Sequence, residues 1–155
     1  MTGRNIFPWE RQEKMAKTKK TTKIATRPID YFPDLGRWPN HWMYTKEDLK
    51  IGRGLLALFT RFIQHLIDEG LAKRTIKNQG SHLAALGGEI IWSLNRLDEK
   101  NRKLSPRDLV LQYVNDQGGP LFSDWDASDK TELSRQLAFD ATCRKFFKFM
   151  TRKSS

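Results

Sequence analysis

Eight apolar residues, Ile51, Leu55, Leu58, Phe59, Phe62, Ile63, Leu66 and Ile67, recur at three- and four-residue spacing and then stop at Gly70. That spacing places them on one face of an α-helix and on no single face of a strand, so it limits the fold more than any other feature. Thr45-Lys46-Glu47-Asp48 offers a capping signal before the stripe, and Gly70 a stop after it, which predicts a helix over about 46–69.

A second stripe, Ile76, Leu83, Leu86, Ile90, Leu94 and Leu97, predicts another helix from Lys73, interrupted by Gly80, Gly87 and Gly88. Each glycine costs about 1 kcal/mol relative to alanine inside a helix. Either a kink or a neighbour packed against bare backbone accounts for them. Ser105-Pro106-Arg107-Asp108 joins a capping serine to a first-turn proline, predicting a third helix over about 106–116 that ends at Gly118-Gly119-Pro120. After a loop in which Asp126 or Ser128 can cap, Leu133, Leu137, Cys143, Phe146, Phe147 and Met150 predict a fourth helix to about 151. No segment alternates apolar and polar residues as strands do. The expected architecture is all-α, with four main helices over 46–151.

Two segments precede that domain. Residues 28–45 hold prolines and aromatics in PIDYFPDLGRWPNHWMY and read as an irregular connector. Its Tyr31, Phe32, Trp38 and Trp42 are expected to pack over the domain edge, with stacking on nucleic-acid bases as the functional alternative. Residues 1–27 carry eight basic and two acidic side chains, more than half of the chain's net charge of +10. KMAKTKKTTK, with Lys17, Lys19, Lys20 and Lys23, has no apolar periodicity and reads as a disordered basic arm. Such an arm either touches a polyanion or only aids solubility.

The positive balance favours nucleic acid or an acidic membrane surface as partner. No apolar run is long enough to span a bilayer and no secretory signal precedes the domain. The single cysteine excludes an intramolecular disulfide. A cytoplasmic, nucleoid-associated protein is expected.

Chemistry-bearing patterns are few. His41, His65 and His82 have no metal-ligand spacing to one another or to Cys143, and Ile51-Gly52-Arg53-Gly54 lacks the ending and the preceding strand of a phosphate loop. Asp124, Asp126 and Asp129 lack the glycine and the final glutamate of a calcium loop and read as a solvated turn with caps. What remains is charge at the start of the second helix. Lys73, Lys77 and Ser81 are spaced by four and share a face, with Arg74 and Asn78 beside them. Positive side chains there oppose the helix dipole, as would suit a phosphate ligand meeting both free amides and cations; the bland reading is a solvated face.

LFTRFIQHLIDEGLAKRTIKNQGSHLAAL resembles the opening of the core-binding (SAM-like) domain of tyrosine recombinases, the phage-type integrases. Phe59, Phe62, Leu66, Gly70, Leu71, Thr75, Ile76 and Leu83 fill its pattern, and FDATCRKFFKFM at 139–150 is similar to the last helix of that domain. Ala72 stands where the family usually has a capping serine. The resemblance implies a four-helix core-binding bundle that forms half of a clamp on double-stranded DNA. It implies contacts from Lys73, Arg74, Lys77, Asn78 and Ser81, and a second patch at Arg144, Lys145 and Lys148. The family's catalytic set has no counterpart: no histidine is followed three residues later by arginine, and Tyr31, Tyr44 and Tyr113 sit in the wrong places. The expectation is a DNA-binding domain that cleaves no strand and needs no cofactor, partnered by duplex DNA and by a recombinase or a second copy. A helical protein–protein adaptor and the N-terminal fragment of a split or truncated integrase are the alternatives.

Overall fold

The computed structural model describes residues 25–122 and 129–152. Those residues form six α-helices and no strand. In chain order they are α1 (Pro28–Tyr31), α2 (Trp38–Trp42), α3 (Lys46–Asp68), α4 (Lys73–Leu94), α5 (Pro106–Val110) and α6 (Lys130–Thr151), with 3₁₀ turns at Leu35–Arg37 and Glu99–Lys103. The fold is all-α, but only α3, α4 and α6 are long. The arm lysines Lys17, Lys19, Lys20 and Lys23, and the loop residues Asp124, Asp126 and Ser128, lie outside the described residues.

Gly70, at φ +75°, makes the turn that folds α4 back along α3. A left-handed residue at this point is cheapest as glycine. The Asp48 carboxylate accepts the amides of Tyr44 and Thr45 at 2.8 and 3.0 Å, anchoring the start of α3. The two apolar stripes meet and α6 closes over them: Phe59, Phe62, Leu83, Leu86, Phe139 and Phe146 are all sealed from solvent.

The 28–45 segment differs from its predicted form. It folds into α1, a 3₁₀ turn and α2, because Pro28 and Pro39 fall within the first two positions of their helices, where no amide is needed. Phe32, Trp38 and Trp42 are buried core residues rather than an edge covering, and burial removes them as platforms for bases. Rings run from Trp42 to Phe59 (5.8 Å between centroids), then to Phe146 (5.4 Å) and Phe62 (5.3 Å). Phe32 and Trp42 press on the bare backbone of α4 at Gly80 and Gly87, so close packing is the reason for those glycines.

Three further expectations are corrected. The third helix stops at Val110, and residues 111–114 continue as tighter turns before Asn115 and Gly118 pair. Leu97 is exposed beyond the end of α4. Leu133 and Leu137 are exposed on α6, whose inner face is Gln136, Phe139, Thr142, Cys143 and Phe146. The physical reason is Gln136: its Oε1 accepts the Phe122 amide at 3.2 Å and its Nε2 donates to the Pro120 carbonyl and to Asp140, so a buried amide holds the 120–122 segment and rotates the leucines outward. Asp129 caps α6 by accepting the Thr131 amide. Beneath Gly119 lies Cys143, its thiol pushed up by burial and by the charge of Asp140.

Candidate nucleic-acid interface

The N-terminus of α4 is open. Ala72 occupies the cap position and has no side-chain acceptor, and the amides of Lys73, Arg74 and Thr75 find no partner among the described residues. Ile76 is the first to do so, donating to the Ala72 carbonyl at 3.0 Å. The departure from a capping serine therefore leaves three helix-end donors facing outward.

Lys73, Arg74, Lys77, Asn78 and Ser81 are all exposed, on the side of α4 away from Ile76, Leu83 and Leu86. None of the three cations has a carboxylate within ion-pairing distance among the described residues. From Asn78 the surface continues into a groove against α6, lined by Thr75, Gln79, His82, Thr142 and Lys145. His82 Nδ1 and Thr142 Oγ1 are 2.6 Å apart across that groove, and burial holds the imidazole below its ordinary pKa. Gln79 Oε1 is buried there with no hydrogen-bond partner among the described residues.

Of the second expected patch, Lys145 and Lys148 line one groove between α3 and α6, and Arg144 stands apart from them. Lys145 also joins the α4 groove, Lys148 lies further along toward α3, and Arg144 points toward the 115–118 turn, donating to the Gln117 carbonyl at 3.4 Å. Sequence reasoning missed Gln79, His82 and Thr142 as groove residues, because α4 and α6 are far apart in the chain. It also missed Arg152, whose guanidinium lies 3.9 Å from the Phe149 ring centre.

The described chain begins against α3. The Thr26 carbonyl accepts a 3.0 Å hydrogen bond from Gln64 Nε2, in the C-terminal part of α3. Lys23 is three residues upstream.

Among the described residues, no group of three or more histidines, cysteines or carboxylates is placed to hold a metal ion, and no helix is long and apolar enough to cross a membrane. No protein-family model, curated protein or solved structure matches the chain.

Proposed function

We propose that the protein binds double-stranded DNA through the outward face of α4, with the basic arm as an auxiliary grip and no strand cleavage. One observation carries the reading: three exposed cations, without a carboxylate partner among the described residues, stand on an uncapped helix N-terminus. Cations at that end are unfavourable for the free helix, and an anion relieves them while accepting from the open amides. Lys73, Arg74 and Lys77 then take phosphates, Asn78 and Ser81 supply neutral donors to the sugar–phosphate edge, and Lys145 extends the track across the groove. The likeness to the core-binding half of tyrosine recombinases supports duplex rather than single-stranded DNA as the ligand. So does the burial of Phe32, Trp38 and Trp42, because single-strand binders stack bases on exposed rings.

The test is a fluorescence-anisotropy titration of a labelled duplex with the parent and with the triple variant Lys73→Gln, Arg74→Gln, Lys77→Gln. Glutamine keeps helix propensity and removes only charge. The expected result is an unchanged or slightly higher melting temperature, weaker binding, and a slope of log affinity against log salt shallower by about 0.9 for each phosphate no longer neutralised. Equal affinity of the two proteins at low salt overturns the assignment.

A further inference from the structure

A cleft of about 440 Å³ opens between the first turns of α3, the 3₁₀ turn Glu99–Lys103 and α5. That volume is in the range of small-molecule sites. Packing fixes one wall: Pro106, at the start of α5, seats against the bare backbone of Gly54, where a methyl group would lie 2.6 Å from the proline ring. Ile51, Leu104 and Pro106 form the apolar side of the cleft, and each keeps accessible surface, whereas Leu109 is sealed beneath them.

The polar side is cationic. Arg102 Nη1 donates to Asp48 at 2.8 Å and Nη2 donates to Asn95 Oδ1 at 2.9 Å, so the guanidinium is held in place from behind. Those two bonds use two of its N–H groups, and the others have no acceptor among the described residues. Lys50 and Lys103 flank it, exposed, and neither has a carboxylate within ion-pairing distance among the described residues. Set against these three cations are the carboxylates of Glu47, which lines the cleft, and of buried Asp48, leaving one positive charge in excess. That balance suits a singly charged anion better than a phosphate dianion, and the apolar side calls for a body as well as a charge.

We propose that this cleft binds a small organic carboxylate, its apolar body against Ile51, Leu104 and Pro106 and its charged end on the spare donors of Arg102, between Lys50 and Lys103. A guanidinium already fixed by two partners meets a planar carboxylate without being reordered, and a charge-assisted bond in a recess is stronger than one on open surface. The buried network behind Arg102 thereby links the ligand to the start of α3 and the end of α4. The inference does not rest on DNA binding by α4.

Titration of the isotope-labelled full chain with phenylacetate and with isovalerate, followed by NMR, tests it. The amide resonances of Lys50, Ile51, Lys103 and Leu104 should shift together and saturate with at least one of the two, and the melting temperature should rise with the concentration of that ligand. Its neutral amide, which lacks the charge, and acetate, which lacks the body, should each bind weaker by about tenfold or more. Lys50→Gln/Lys103→Gln should lose affinity severalfold while keeping the melting temperature of the free parent, because both lysines are exposed. Arg102 is left intact in that variant, since it also holds Asp48. Absence of a saturable shift with either carboxylate overturns the proposal. Inorganic phosphate binding as tightly as the carboxylate would reduce the cleft to a patch of cations and equally overturn it. Displacement of the carboxylate by a short DNA duplex would assign Lys50 and Lys103 to the DNA surface instead.

Discussion

Trp42 occupies the space that a side chain would need at Gly87: a methyl group there would lie 2.2 Å from Cζ2 of the indole. The ring cannot simply retreat, since its Nε1 donates to the Ala84 carbonyl at 2.8 Å and it packs against Phe59. Gly87→Ala should therefore destabilise by about 1 to 3 kcal/mol, overpacking outweighing the gain in helix propensity. At Gly88 the nearest atom would be at 3.6 Å, an ordinary contact, and Gly88→Ala should stabilise by about 0.5 to 1 kcal/mol. Urea denaturation of both variants distinguishes the neighbours; the same sign for both would contradict the packing described.

Asp48 is fully buried and receives amides from Tyr44 and Thr45, the Asn95 side chain at 3.0 Å and the Arg102 guanidinium at 2.8 Å. Burial alone would raise its pKa, but the backbone amides, Arg102 and Asn95 together hold it below the ordinary value of 3.8. A depressed carboxylate contributes stability above its unfolded pKa and loses it as pH falls through the folded value. Asp48→Asn should cost about 3 kcal/mol at neutral pH, because Arg102 loses its carboxylate partner and keeps only the Asn95 carbonyl. Parent and variant stabilities should converge below pH 3.8. Denaturation midpoints recorded across that range give the comparison, and a constant gap at all pH values would refute the account.

Phe146 and Phe147 are adjacent on α6 and thus about 100° apart. Phe146 is sealed between Phe59 and Phe62, whereas Phe147 is only partly buried. Replacing Phe146 with alanine should cost about 3 to 5 kcal/mol and Phe147 clearly less. Equal losses in thermal unfolding would place α6 in a different rotation.

Removal of residues 1–24 spares Thr26, held by Gln64, and Arg27, which pairs with Asp30 at 3.1 Å. Helicity and melting temperature should be unchanged, while duplex affinity should fall and its salt slope flatten. Circular dichroism and anisotropy together decide it, and a truncated protein that unfolds would make the arm part of the fold.

Much of this fold was legible because the three long helices carry their own boundaries. The predicted span 46–69 and the observed Lys46–Asp68 agree, as do the start at Lys73 and the end at Thr151, since the Thr45–Asp48 cap, the Gly70 stop and the apolar spacing act locally. The short helices escaped notice because Pro28 and Pro39, read as breakers, are initiators when they fall in a first turn. Leu133 and Leu137 deceived for another reason. Hydrophobicity ranks them above Gln136, and only the 120–122 backbone, satisfied by that amide, makes burying a glutamine worthwhile. The cations of α4 could be located from spacing alone, but their lack of carboxylate partners depends on the tertiary arrangement, as does the link between Asp48 and Arg102, 54 positions apart.

Cys143, roofed by the glycine-rich 118–119 turn, gives the protein a built-in clock. A thiol that is both shielded and protonated reacts with an alkylating reagent only while α6 has parted from that turn. Labelling rates thus count opening events of the closing helix directly, and added ligand or rising protein concentration should slow them only if it fastens α6 to the rest of the molecule. Because no second cysteine adds background, the same chain accepts a reporter thiol at any exposed position and lets the inner and outer signals be timed against each other.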